Sequence, residues 1–152
     1  MKNQIVIFLF SLLFVLGACE KEEGENEYMV SENFSDESHN TGQDCMECHF
    51  AGGSGEGWLT VAGSVYDGEL DQPIANGVIE LSTEPQSNGS IIATIEIDEK
   101  GNFYTTEAIN ITGGLYATVE SQNGSKAYMI TEVTNGSCNS CHGSSTDKIW
   151  VD

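Results

Sequence analysis

The sequence of 152 residues is long enough for one domain with one modest core, since 39% of its residues are hydrophobic. It carries 24 acidic residues against 5 basic ones, all lysine, and its formal net charge at pH 7 is -19. Because contacts to phosphate need basic side chains, this charge argues against nucleic-acid binding.

The chain begins with the pattern of a secretory signal peptide, which we expect to comprise residues 1–18. Lys2 precedes an apolar run over residues 5–16 that is too short for a lasting membrane span. The four residues from Leu16 to Cys19 resemble the bacterial lipobox. That resemblance implies cleavage before Cys19 and a lipid anchor on this residue, which would hold the protein to a membrane. A plain signal peptide followed by an incidental cysteine is the alternative.

Residues 19–38 are acidic and polar and lack apolar periodicity. Such a segment buries too little apolar surface to fold, so it predicts a flexible, solvated tether.

Residues 45–49 read Cys-Met-Glu-Cys-His, the Cys-x-x-Cys-His pattern of covalent haem attachment. Two thiols one turn apart add to the two vinyl groups of one porphyrin, and the histidine that follows lies under the iron as its proximal ligand. The pattern therefore predicts Cys45 and Cys48 as haem thioethers and His49 as an iron ligand.

Residues 58–134 show the alternation of half-buried strands, with turn residues about every eight to twelve positions. The predicted strands are 58–66, 77–83, 91–98, 103–106, 115–120 and 126–133. In the third of them Ile91, Ala93, Ile95 and Ile97 share one face. Since no stretch here has helical period, the predicted fold class is mainly β, a small antiparallel β-sandwich.

A second Cys-x-x-Cys-His motif follows at residues 138–142, with Cys138 and Cys141 as predicted thioethers and His142 as the predicted proximal ligand. One lipid-bearing cysteine and two haem pairs account for all five cysteines. Two alternatives remain for the four motif cysteines, a single tetrahedral zinc site and a pair of disulfides. The zinc interpretation leaves the histidine of each motif unexplained.

Residues 59–133 resemble the carboxypeptidase regulatory-like, transthyretin-type sandwich. The resemblance rests on a Gly-x-Val strand, a proline-containing turn, an Asp-x-x-Gly-x-Phe hairpin at 98–103 and a Gly-x-Tyr strand at 114–116. It implies a scaffold without an active site, in a haem domain of residues 39–152. The alternative is an immunoglobulin-like sandwich with generic turns, which would change the topology but not the function.

Residues 39–49 resemble the His-Asn-x-Gly-x-x-Cys-x-x-Cys-His segment of multihaem cytochromes. This resemblance implies two covalent c-type haems and suggests His39 as a distal iron ligand. His39 as a solvent-exposed residue without an iron is the alternative.

Two haems with two histidine ligands each need four histidines, and the sequence has three. The remaining iron would take Met129, Met29 or Met46, take a ligand from another chain, or stay open. Met129 lies on an apolar strand, where packing in the core is the alternative role.

These features predict an exported, lipid-anchored dihaem cytochrome, an outer-membrane lipoprotein that is periplasmic or surface-exposed and relays electrons. Its acidity would steer it towards basic patches on redox partner proteins such as other cytochromes. We expect an electron carrier and not an enzyme. The alternatives are a haem sensor or peroxidase with one open axial site, and a structural or binding lipoprotein held by zinc or disulfides. If the first and last strands are adjacent, the two motifs should lie close together.

Overall fold

A computed structural model describes residues 25–152, in which seven strands form two sheets. The strands are β1 (Val61–Tyr66), β2 (Val78–Ser82), β3 (Ile91–Glu96), β4 (Asn102–Thr105), β5 (Tyr116–Glu120), β6 (Lys126–Tyr128) and β7 (Ile149–Trp150). Three short 3-10 helices accompany them, at Cys45–Glu47, Pro85–Ser87 and Cys138–Ser140. The predicted signal peptide and Cys19 lie outside the described residues. Among residues 25–152, no helix is both long and apolar enough to cross a membrane.

The predicted mainly β fold class, a small β-sandwich, is confirmed. One sheet has the order β4-β1-β7 and the other the order β3-β2-β5-β6. Apolar side chains from both sheets meet in one core, where alternation along each strand directs every second residue inward. The core includes Val61, Val65, Phe103, Ile79, Leu81, Ile95 and Val119.

Strand β1 is the centre of its sheet, and all six of its residues are buried. It pairs antiparallel with β4, where Ser64 lies opposite Asn102, and parallel with β7, where Val65 lies opposite Ile149. Its full burial means that other parts of the chain cover the face that points away from the core. Those parts are the two motif segments.

The structure corrects two details of the strand prediction. Ile91 was expected to face the core with Ile95, but its side chain is 51% exposed. The register between β2 and β3 shifts at Leu81 and Ser82, and this bulge interrupts the alternation at the start of β3, where both Ile91 and Ile92 are exposed. The second correction concerns β7, which lies beyond the predicted sandwich boundary at residue 134. The sequence did not predict this strand because its two residues are too few to show a period.

The described part of the predicted tether, residues 25–38, makes backbone contacts with the sandwich. Ser31 is 1% exposed, and it bridges the edges of the two sheets. Its backbone nitrogen donates to the Tyr104 carbonyl on β4 at 2.9 Å, and its hydroxyl donates to the Glu96 carbonyl on β3 at 2.6 Å. The segment is polar because it satisfies backbone groups at an open edge and contributes little to the core.

Candidate haem-attachment sites

The first motif forms a 3-10 turn over Cys45–Glu47. The Asp44 carboxylate caps it by accepting from the Met46 nitrogen at 3.0 Å, and the nitrogens of Cys48 and His49 both donate to the Cys45 carbonyl, at 3.2 and 3.0 Å. A single tight turn thus joins the two cysteines and leads directly into the histidine. This is the local geometry that attachment to one porphyrin requires.

The second motif repeats that turn over Cys138–Ser140. The nitrogens of Cys141 and His142 donate to the Cys138 carbonyl at 3.2 and 2.9 Å. Cys138 is partly buried and packs against the core, whereas Cys141 is exposed. The two motifs therefore have the same backbone arrangement on different parts of the sandwich.

Each motif histidine has one ring nitrogen fixed by a backbone carbonyl. Nδ1 of His49 lies 2.8 Å from the Glu56 carbonyl, and Nδ1 of His142 lies 2.9 Å from the Asp147 carbonyl. A carbonyl can only accept, so this contact places the ring proton on Nδ1 and leaves the Nε2 lone pair available to a metal. Both rings are thus prepared in the tautomer that an iron ligand needs.

A glycine sets the position of the first ring. The loop after the motif folds back so that Gly55 lies against the imidazole of His49. A Cβ at Gly55 would lie 2.6 Å from Nδ1 of His49, closer than real Cβ contacts allow. Only glycine lets the loop approach the ring closely enough for the Glu56 carbonyl to reach Nδ1.

A cavity of about 260 Å³ lies beside the first motif. His39 shares it with Cys45, Cys48 and His49. The ring centroids of His39 and His49 are 5.8 Å apart. Metal–imidazole bonds are about 2 Å long, so two rings on opposite sides of one metal would have centroids roughly 6 Å apart. The spacing of this pair is compatible with a shared iron.

A second cavity of about 270 Å³ lies beside the second motif, and it reaches into the core. Met129 shares it with Cys138, Cys141 and His142. Apolar residues form most of its remaining wall, including Val61, Leu81, Phe103 and Val119. His39 therefore lies at the first motif and Met129 at the second. Each motif supplies two cysteines and one histidine.

The two motifs contact each other directly. The side-chain nitrogen of Asn139, inside the second motif, donates to the Gln43 carbonyl just before the first motif at 2.8 Å. The Ser137 hydroxyl also donates to the Asp44 carboxylate. The motifs are adjacent because Ser137 pairs in parallel with Ala62 of β1. The predicted last strand, 126–133, does not cause this adjacency, since β6 belongs to the other sheet.

Beneath this contact lies a buried polar network that the sequence did not reveal. The Ser64 hydroxyl accepts from the Gly42 nitrogen at 2.9 Å and donates to the Asn102 side-chain oxygen at 2.7 Å. The Ser64 nitrogen donates to the Asn139 side-chain oxygen at 3.1 Å. Asn139 occupies a variable position of the Cys-x-x-Cys-His pattern, so the motif gives it no role. The one available signal was Ser64, a polar residue in a predicted strand.

The first cysteines of the two motifs differ in how far burial raises the pKa of the thiol. Burial, and then the nearby Asp44 carboxylate, raise the pKa of the Cys45 thiol. Burial raises the pKa of the Cys138 thiol to about 12, with the neighbouring thiol of Cys45 as the next cause. The second motif thus holds its first sulfur in the more apolar environment, and the Cys45 thiol is close enough to contribute to the rise in the pKa of Cys138.

In the described residues the four motif cysteines are arranged neither as one zinc site nor as two disulfides. Within residues 25–152, which include all four motif cysteines, no group of three or more His, Cys, Asp or Glu side chains is placed to hold a metal ion. The four thiols are also free, so no disulfide joins them. By contrast, the donors at each motif fit one haem, with two cysteines on a turn and a histidine with Nε2 available.

Comparisons of this chain with family models, curated proteins and solved structures give no match.

Proposed function

We propose that this chain is a dihaem c-type cytochrome that transfers electrons at the cell envelope. The observation that carries the proposal is the paired arrangement at the two motifs. Each has two cysteines on one turn, a histidine whose Nδ1 is held by a backbone carbonyl, and its own adjacent cavity. Haem iron, when bound, supplies one-electron redox chemistry.

The chain's own residues hold the cofactor and complete the coordination of the iron. Cys45 and Cys48 form the thioethers of the first site, and Cys138 and Cys141 form those of the second. His49 and His142 are the proximal ligands.

The distal ligands differ between the sites. His39 completes the first site, which its position 5.8 Å from the ring of His49 supports. Met129 completes the second site, which its position in the wall of the same cavity as His142 supports. If both irons took these six ligands, the chain would suit electron transfer rather than peroxidase activity or gas sensing.

The contact between the motifs suits a relay. The bond from Asn139 to the Gln43 carbonyl and the bond from Ser137 to Asp44 hold the two attachment turns together over β1. Two redox centres attached to adjacent turns can exchange an electron within one protein. The sandwich then serves as the frame that fixes their separation.

The location at the envelope rests on the start of the sequence. Residues 1–18 act as a signal peptide and Cys19 bears the lipid, so that the protein is an outer-membrane lipoprotein, periplasmic or surface-exposed. The net charge of -19 favours redox partners that present basic patches, such as other cytochromes.

Expression of the full chain with haem-maturation machinery tests the proposal. A pyridine haemochrome spectrum together with intact mass should count two covalent haems and lipid on one polypeptide. A colourless protein from cells that make other c-type cytochromes would overturn it.

Carbon monoxide binding to the reduced protein tests the distal ligands. Wild type should resist carbon monoxide, because both irons are fully ligated. His39→Ala should open the first site and Met129→Ala the second, each with a shift of the Soret band for half of the haem. Met46→Leu is the control, since Met46 lies within its own attachment turn. Binding by wild type itself would count against both assignments.

A further inference from the structure

The two cavities differ in the charge of their walls. Three carboxylates line the first cavity, those of Glu37, Asp44 and Glu47, and no lysine of the described chain does. No carboxylate from residues 25–152 lines the second cavity, where Lys148 is the charged side chain. The ammonium of Lys148 is directed away from this cavity, since it donates to the Leu70 carbonyl at 2.9 Å and lies 3.9 Å from the centroid of the Tyr66 ring, and neither residue lines the cavity.

The cavities differ in polarity as well. The wall of the first contains backbone turns and the polar side chains of Ser38, Asn40 and Asn102. The second is walled largely by core residues of both sheets, and Phe103 and Leu81 are each 1% exposed. The rise in the pKa of Cys138 to about 12, caused by burial, agrees with this difference.

Both differences act on an iron in the same direction. A ferric centre carries one more positive charge than a ferrous one, so neighbouring carboxylates stabilise the ferric form. An apolar wall favours the ferrous form. Methionine as a distal ligand in place of histidine also raises the reduction potential.

We propose that Glu37 and Glu47 hold the first site at the lower reduction potential, while the apolar wall and Met129 hold the second at the higher one. This inference rests on the proposed function. With haem bound, one electron from a one-electron reductant such as another haem protein would go first to the second site, with no bond or proton transferred. The first site is the one that accepts the next electron and is oxidised most readily.

Potentiometric titration of the full-length dihaem protein, followed by absorbance, tests the order. Wild type should give two waves of equal amplitude. The double variant Glu37→Gln/Glu47→Gln changes two exposed carboxylates, so it should fold normally. At a fixed potential within the lower wave, it should raise the ferrous-to-ferric ratio roughly threefold to tenfold, and it should leave the upper wave unchanged.

The matched control is Glu69→Gln/Glu84→Gln, which makes the same change of charge at exposed residues that line neither cavity. It should leave both waves nearly unchanged. Met129→His keeps six ligands at the second site and should lower the potential of the upper wave alone. This result would assign the upper wave to the second site independently of the charge variants.

Three results would overturn the inference. They are a single unresolved wave, a shift of the upper wave in the Glu37/Glu47 variant, and a shift of the lower wave in Met129→His. In each case the haem count would still be two, so the proposed function would stand. A count below two would instead overturn the proposed function, and the titration would show which site is missing.

Discussion

The two motif segments have the same local backbone and different surroundings. In each, a 3-10 turn joins two cysteines and a backbone carbonyl fixes Nδ1 of the histidine. The first segment lies over the outer face of β1 among polar and acidic groups, and the second runs beside β1 with its first cysteine packed against the core. The five residues of the pattern thus specify the attachment turn, while the polarity of each site depends on which residues surround that turn.

Removal of the cysteine pairs should show the largest difference in stability between the two sites. Cys138→Ala/Cys141→Ala leaves the apolar cavity without its occupant, whereas Cys45→Ala/Cys48→Ala leaves a polar cavity that water can fill. At roughly 24 cal/mol per Å³ of apolar cavity, a volume of about 270 Å³ gives an upper bound of about 6 kcal/mol for the loss of unfolding free energy in the Cys138/Cys141 variant.

Denaturant unfolding of both double variants measures the difference, and the pyridine haemochrome confirms one haem in each. The Cys138/Cys141 variant should be the less stable of the two. Equal stability would mean that the second haem does not occupy the core-facing cavity.

The haem-free protein should lose stability at alkaline pH through Cys138. Its folded pKa of about 12 lies above the ordinary value of 9.0, so the folded state binds the thiol proton more tightly. The stabilisation is therefore complete below pH 9 and is lost as the pH rises towards 12. Three pKa units correspond to at most about 4 kcal/mol, an upper bound because the residue is partly exposed.

Unfolding of the haem-free protein between pH 8 and pH 11 measures this loss, and Cys138→Ser is the control that should remove it. Alkylation gives a second measurement. At pH 8 Cys138 should react far more slowly than the exposed Cys48 and Cys141, because only the thiolate attacks. Similar rates for all three would contradict the environment inferred for Cys138.

Gly136 allows the second segment to lie against β1. A Cβ at this position would lie 1.6 Å from the Thr60 carbonyl oxygen, and the Gly136 carbonyl accepts from the Ala62 nitrogen at 2.9 Å. Gly136→Ala should therefore displace the segment and cost about 3 kcal/mol of unfolding free energy.

The control is Gly113→Ala, where a Cβ would meet nothing within 4 Å. It should change stability by less than about 0.5 kcal/mol. The haem of the second site should also become more accessible to carbon monoxide in Gly136→Ala. No effect of Gly136→Ala on either measurement would show that the parallel pairing is dispensable.

The sequence predicted what depends on short-range pattern. Alternation gave the six longer strands, and the spacing of the two motifs gave their turns and histidines. It could not give the parallel pairing of Ser137 with Ala62, because pairing between distant segments leaves no local period. The burial of Ser31 was missed for a similar reason, since a polar segment that covers a sheet edge has the composition of a solvated one.

Asn139 gives the smallest and most specific test of how the two regions are joined. Its side chain is 7% exposed and bonds to the Gln43 carbonyl and to both the nitrogen and the hydroxyl of Ser64. Asn139→Ala would remove these partners from the Gln43 carbonyl and the Ser64 nitrogen, while the Ser64 hydroxyl keeps Gly42 and Asn102, and it should cost about 2 kcal/mol although both haems remain attached.

Asn139→Asp distinguishes the accepting role of the Asn139 side chain from its donating role. Its carboxylate can still accept from the Ser64 nitrogen, but it cannot donate to the Gln43 carbonyl, so it should be at least as destabilising as alanine. Gln122→Ala, at an exposed turn, is the control and should have almost no effect. Denaturant unfolding measures stability, and hydrogen exchange at residues 42–45 reports whether the first segment loosens. If exchange there stays at the wild-type rate in both variants, Asn139 does not hold the motifs together, and the contact of Ser137 with Asp44 would have to do so alone.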